Sequence, residues 1–390
     1  MALAAWGYAA GGRLDDKHSL AGRSKHSPHA GANPLYALDR LCNTPRHACW
    51  CHAWNTHPQL HHSTTSSNQM NETPPPLVSI CIPTYNHERY IAQCLQSALM
   101  QSVNGPIEIL VGDDLSSDHT AKIIREVAAL HPNIIRYIRY TERKGAVGNL
   151  SFLINEARGK YIAHLDGDDF WLPGKLAAQL AFIEAHVDCP AVYTNAFCIH
   201  DDGTPAGIFT NYKRNRISIP DMIRRGNFLN HSSLFYRGSL KKIILSPDCN
   251  ILDYSTHLNL AKHGDLGYLQ ESLTVYRVSS SSSILIHAND HVRELYWAAL
   301  CDTQPPAVSA LDLNAGMAEF MRSIFFRSLR LRSTHLLTTW WPRVLEKAPA
   351  GRTRLLLQAG WAIFRTGGAV AASWTCRKLT GNTMRVLYPR

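Results

Sequence analysis

Three carboxylates fall within four residues at Asp166-Gly167-Asp168-Asp169. Crowded in this way they repel one another unless a cation or a proton neutralises them, and their hard oxygens suit Mg2+ or Mn2+. The same residues are ordinary turn formers, so by themselves they read as well as a loop as they do as a metal site. A second acidic pair, Asp113-Asp114, runs into Ser116, Ser117 and Asp118 and offers carboxylates to a base edge or to ribose hydroxyls; Asp118 is equally explained as a helix cap. In a third segment, Pro83-Thr84-Tyr85-Asn86, the tyrosine presents a flat surface for a base, and Thr84 and Asn86 supply short polar contacts.

What gives these groups a common purpose is the elements that precede them. From Val78 onward, short β-branched runs alternate with amphipathic stretches of helical period, the pattern of βαβ units. Strands are expected at 78–82, 107–112, 134–140, 160–165 and 191–199, with helices near 88–102, 119–131, 146–157 and 174–187. Asp118 is placed to cap the second helix, and Pro173 to occupy the first turn of the fourth. Short, right-handed crossovers then give an α/β fold with a largely parallel sheet. Ligands of such sheets sit beyond the carboxyl ends of the strands. All three polar segments lie there, each directly after a strand, on one edge of one sheet.

Three runs carry a family resemblance: Val78-Ser-Ile-Cys-Ile-Pro-Thr-Tyr-Asn86, Glu108-Ile-Leu-Val-Gly-Asp-Asp114, and Tyr161-Ile-Ala-His-Leu-Asp-Gly-Asp-Asp169. Their order and content resemble the family 2 glycosyltransferases of the GT-A fold, over about residues 77–285. The resemblance implies a Rossmann-like mixed sheet flanked by helices and an enzyme that takes sugar from a nucleotide-diphosphate donor, most often a UDP-sugar. It also implies that Pro83, Thr84 and Asn86 line the nucleotide site with Asp114 bonding the base, and the residue reading adds Tyr85 and Asp113 to them. Asp166 and Asp168 then match the family's Asp-x-Asp element. Asp166 would face ribose or a metal-bound water, and Asp168 would ligate Mn2+ or Mg2+ directly. By the same likeness Lys144, beside Arg143, falls near the diphosphate, although ordinary surface charge explains both. Arg277 precedes a serine run where relatives close a loop on the donor. Asp253, in Ile251-Leu252-Asp253-Tyr254, is the expected catalytic base of an inverting transfer, its alternative being a plain helix cap. His231-Ser232-Ser233 reads either as acceptor-cleft lining or as a satisfied interior histidine. The Gln-x-x-Arg-Trp element of processive synthases is absent, which favours single addition to a glycan or lipid-linked acceptor.

The expected organisation is an N-terminal extension (1–76), a nucleotide-sugar-binding half (77–205), an acceptor-binding half (206–290) and a basic helical C-terminal region (291–390). The extension holds eight of the 20 histidines among Ser, Asn, Gly and Pro, with neither helical nor strand period, and reads as disordered or spurious. Met70, just ahead of the first strand, reads as an alternative start of translation. Cys42, Cys49 and Cys51 match no strong zinc spacing, and Cys81, Cys94, Cys189 and Cys198 sit in apolar runs as buried thiols.

The formal charge of +10 resembles a nucleic-acid signal until it is divided along the chain. Residues 317–390 hold thirteen Lys/Arg against two Asp/Glu, whereas residues 70–316 hold 21 against 25. An acidic middle with a basic, tryptophan-bearing tail points away from nucleic acid and towards an anionic membrane surface; a helical subdomain packed on the core is the competing reading. Neither a secretory leader nor an apolar spanning segment is evident, so the expected location is cytoplasmic, peripheral to the membrane. Two rival functions share these features. A nucleotidyltransferase would carry a glycine-rich phosphate loop where this chain has Pro83-Thr-Tyr-Asn-His-Glu-Arg89, and a non-catalytic sugar-nucleotide-binding protein would have lost its acidic residues.

Overall fold

The computed structural model describes residues 75–245, 253–278, 289–303, 306–380 and 385–389, and side chains to residue 368 of the last long helix. The N-terminal extension with its Cys/His group, and the serine run after Arg277, lie outside the described residues.

Strand β1 (Val78–Thr84) leads to α1 (Ile91–Leu99), β2 (Ile107–Asp113), α2 (Thr120–Leu130), β3 (Ile135–Arg139), α3 (Gly145–Glu156) and β4 (Tyr161–His164). The short β5 (Phe170–Trp171) precedes α4 (Lys175–Ala185), β6 (Ala191–Ile199), β7 (Pro205–Thr210), β8 (Arg216–Ile217) and α5 (Ile219–Arg225). Then come β9 (Phe235–Arg237), α6 (Lys241–Ile244), α7 (Asp253–Ala261) and β10 (Leu266–Arg277). The chain ends in α8 (Asn289–Asp302), α9 (Ala310–Leu331), α10 (His335–Glu346), α11 (Arg352–Thr380) and β11 (Arg385–Tyr388).

The strands form one mixed sheet, ordered β11-β7-β6-β9-β4-β1-β2-β3, with β10 along the other edge of β6. Its first half is parallel throughout: β1 lies between β2 and β4, and β3 continues beyond β2. Antiparallel β9 then joins β4 to β6. Alternation along β1 explains the layering. Ile80 and Ile82 face a core built with α1, α2 and α4, while Cys81 faces the opposite core, which takes in α3, α5 and the C-terminal helices.

Strand and helix positions match the sequence expectation to within a few residues in this first half. Pro173 does not enter a helix: Gly174, at φ +82°, is the cap, and α4 starts at Lys175. Asp118 does hold the second helix start, accepting from Thr120 N at 2.9 Å, and it also accepts from Glu88 N at 3.1 Å. Cys81, Cys94, Cys189 and Cys198 are free buried thiols.

The packing of the C-terminal region follows the helical-subdomain reading. Phe320, Ile324 and Trp340 are buried against the core, with Phe320 and Trp340 rings 5.1 Å apart, so α9 and α10 pack as an ordinary subdomain. Trp361 on α11 is exposed. Among the described residues no helix is long and apolar enough to cross a membrane.

Candidate active site

The carboxyl ends of β4, β1 and β2 lie side by side, and their loops are stitched together by hydrogen bonds. Asp114 N donates to Thr84 O (3.0 Å), Asn86 N to Ser116 Oγ (3.0 Å) and Ser117 N to Asn86 Oδ1 (2.9 Å). Asn86 takes a left-handed conformation (φ +53°), which asparagine tolerates better than most residues. Gly167 N donates to Pro83 O at 3.2 Å, so the Asp-Gly-Asp loop rests directly on the end of β1. A Cβ on Gly167 would stand 2.7 Å from His87 Nδ1 and 2.8 Å from Thr84 Oγ1. Gly167→Ala is therefore expected to push the two loops apart at a cost of about 1–3 kcal/mol, read as a lower unfolding temperature.

Below these loops, buried Asn149 donates from Nδ2 to Gly112 O at 2.8 Å and accepts from Tyr140 OH at 3.1 Å. Its Oδ1 lies 2.1 Å from where a Gly112 Cβ would stand, so β2 can approach only with glycine there. Sequence reasoning passed over Asn149, because one asparagine in a helix carries no signal of the strand it will meet.

The two carboxylates after β2 have different surroundings. Asp113 is wholly buried and accepts from Ser116 N (2.9 Å) and Tyr137 OH (2.9 Å), with Arg139 at 3.4 Å. Asp114 accepts from Lys144 N (2.6 Å) and Arg143 Nε (3.0 Å), and the Arg143 guanidinium lies 3.4 Å from the centroid of Tyr85. The Lys144 side chain is exposed, its ammonium 5.2 Å from the Tyr140 ring centroid. Arg143 thus covers the half-buried Tyr85 ring and pairs with the buried Asp114, with Pro83, Thr84 and Asn86 next to them along the chain.

In the Asp-Gly-Asp-Asp loop, Asp166 and Asp169 are buried and Asp168 is partly exposed. Asp166 bonds His164 Nε2 through Oδ1 at 3.0 Å and accepts from Ser232 Oγ through Oδ2 at 3.1 Å. Asp169 lies 2.6 Å from the same Ser232 hydroxyl and accepts from Arg277 N at 2.9 Å. Burial first, then the charges of Asp168 and Asp166, push the Asp169 carboxyl well above the ordinary range. Arg277 is itself buried: it donates to Gln93 Oε1 at 2.6 Å and stands 4.7 Å over the Tyr90 ring. Ser232 and Arg277 thereby fasten the acidic loop to the second half of the domain.

Among the described residues no group of three or more His, Cys, Asp or Glu is arranged to hold a metal. The donors nevertheless fit a divalent cation of the Mg2+ or Mn2+ kind. Such ions are held by one or two carboxylates and complete their shell with water and substrate phosphates. A partly exposed Asp168 beside buried anionic charge is that kind of partial site.

Behind Asp166 runs a row of three buried histidines. The rings of His164 and His231 lie 4.2 Å apart, His231 Nδ1 is 3.2 Å from His257 Nε2, and His257 Nδ1 is 3.2 Å from Asn227 Oδ1. The partners fix the tautomers. Asn227 Oδ1 only accepts, so His257 carries its proton on Nδ1 and His231 donates to His257 Nε2; His164 donates from Nε2 to Asp166. Burial lowers all three pKa values, that of His257 to about 3, so the row is neutral. His231 accordingly faces the interior and not an acceptor cleft.

Asp253 opens α7 and is partly buried; its charge, after burial itself, helps push the Tyr193 phenol upward. Tyr193 meets His257 edge-on at 4.9 Å, which sets the start of α7 against the same polar wall that backs Asp166.

Known proteins resemble this chain in sequence and in fold. The family description that matches is Glycosyl transferase family 2, over residues 79–244. The chain is 32% identical over 188 residues to the UDP-Glc:alpha-D-GlcNAc-diphosphoundecaprenol beta-1,3-glucosyltransferase WfaP of Escherichia coli, a match covering 48% of this chain and 71% of that protein. A longer match, 27% identical over 282 residues, links it to an uncharacterized protein of Mycobacterium tuberculosis and covers 72% and 78% of the two chains. Among solved structures, S. aureus TarS 1–349 in complex with UDP has a TM-score of 0.52 at 18% identity, over 74% of this chain and 88% of that one.

Proposed function

The chain belongs to glycosyl transferase family 2, with the GT-A fold and the activity of a glycosyltransferase, and from this premise we propose that it transfers sugar from a UDP-sugar to an acceptor hydroxyl with inversion. The observation that carries the reading is the contact of Gly167 with the end of β1. It sets an acidic, partly exposed loop beside the strand end that carries Tyr85, next to the Asp114 and Arg143 pair. That is the layout a nucleoside diphosphate requires, with the base at one end and the phosphates at the other.

In this proposal the exposed Arg143 side chain moves off Tyr85 and Asp114 as donor enters, so that the base stacks on Tyr85 and bonds Asp114, and Pro83, Thr84 and Asn86 border the nucleoside. Asp113, whose two oxygens already serve Ser116 and Tyr137, shapes the loop. Asp166 faces ribose, while Lys144 and Arg277 bring positive charge towards the diphosphate. Asp166 and Asp168 would hold the divalent cation, which when bound neutralises charge building on the leaving diphosphate. Asp253 takes the proton from the acceptor hydroxyl as that oxygen attacks from the opposite side of the sugar. Held in line, acceptor oxygen, anomeric carbon and leaving oxygen need little further ordering.

The curated relative WfaP acts, by its name, on a diphosphoundecaprenol-linked sugar. We assign this chain a lipid-linked acceptor of the same sort, in synthesis of a bacterial cell-surface polysaccharide or glycolipid. Hydrolysis measured across a panel of nucleotide sugars with Mn2+ tests the donor assignment. Turnover of UDP-sugars above GDP- and dTDP-sugars is expected, and preference for another base overturns it.

A further inference from the structure

Among its described side chains helix α11 carries two apolar stripes, one buried and one exposed. Leu355, Ala359 and Ala362 are buried. They turn towards α9, which is joined to α11 by the Asn314 to Gln358 hydrogen bond (2.8 Å) and by the ion pair of Arg365 with Glu319. On another side Arg354, Leu357, Trp361 and Phe364 follow one another at steps of three and four residues, which aligns them along one face. Leu357 is 71% exposed, Trp361 64% and Phe364 71%. The Trp361 and Phe364 rings stack at 5.8 Å, so this is a formed apolar ridge on the surface.

We propose that this ridge seats the enzyme on an anionic lipid bilayer, with α11 lying in the headgroup plane. Three observations select that occupant. The helix holds five Lys/Arg and no Asp/Glu. A second copy would therefore set cation against cation, while anionic headgroups complement it. A tryptophan beside Phe and Leu is the composition that settles at the boundary of headgroups and acyl chains. The helix is not apolar enough to span, which leaves lying in the interface as its membrane-bound state. Exposed Arg352 and Arg354 at its start supply the electrostatic part of the attachment. The inference deepens the assignment of a lipid-linked acceptor, since an enzyme held at the bilayer meets such an acceptor where the lipid presents it.

Sedimentation of the full chain with vesicles of mixed phosphatidylglycerol and phosphatidylcholine tests this. Wild type is expected to bind these vesicles in a salt-sensitive manner and to bind pure phosphatidylcholine weakly. Leu357→Ser/Trp361→Ser/Phe364→Ser is expected to weaken binding about a hundredfold, and Arg352→Glu/Arg354→Glu by more than about tenfold. Both variants should retain nucleotide binding, which separates this claim from the reading of the active site. Unchanged sedimentation of both variants overturns it. So does a wild-type dimer that the triple variant converts to monomer, which would give the ridge to a second copy.

Discussion

Asp168→Asn leaves the protein folded and removes nearly all transfer activity, with kcat falling by about a thousandfold or more. Asp168 is the partly exposed member of the acidic loop, whereas Asp166 and Asp169 are buried and tied to His164, Ser232 and Arg277. The substitution keeps the size and most of the polarity of the side chain, so the fastening of the loop to β1 through Gly167 survives. What it deletes is the negative charge on which the proposed hold on a divalent ion depends. Titration of activity with Mn2+ distinguishes this from a structural defect. The variant is expected to need far more Mn2+, or to show no dependence, while its thermal unfolding stays close to wild type. A variant that retains wild-type turnover at low Mn2+ removes Asp168 from the role proposed for it.

Asp253→Asn is expected to lower kcat by about a hundredfold to ten-thousandfold while leaving donor affinity nearly unchanged. The asparagine still fits the start of α7, where Asp253 is the first helical residue and Asn is nearly isosteric with it. If Asp253 serves only as a cap, the substitution is close to silent. If it accepts the acceptor's proton, turnover collapses and nucleotide binding does not. A full kinetic analysis with a lipid-linked acceptor therefore separates the two roles, and wild-type kcat in Asp253→Asn sinks the assignment of the base.

The first half of the sheet was legible because β1, β2 and β4 are short apolar runs with polar residues directly after them. Their alternation, as in Ile80, Cys81 and Ile82, is also their packing. The second half was harder to read. β10 pairs along β6 but carries Gln270-Glu271-Ser272 in its middle, where the register shifts, so its apolar period is broken at the place that would identify it. β11 returns after four helices to pair with β7, a contact that nothing local encodes.

The same limit applies to the site. Tyr85, Asp114 and the Asp166 loop were found by position, as residues after strands. Asn149, His164 and His257 were not, and His231 and Ser232 were noticed only as a run with two readings, since their partners are dispersed along the chain and meet only through the topology of β4, β9 and α7. Ser232, one residue in a His-Ser-Ser run, contacts two of the three acidic side chains.

The decisive observation is calorimetric titration of the purified protein with UDP, with and without Mn2+. Binding that strengthens by about tenfold or more when Mn2+ is supplied, and loses that gain in Asp168→Asn, is the predicted result. No heat of UDP binding under either condition, or equal affinity in both, would contradict the reading of this acidic loop as the holder of a metal-bridged diphosphate.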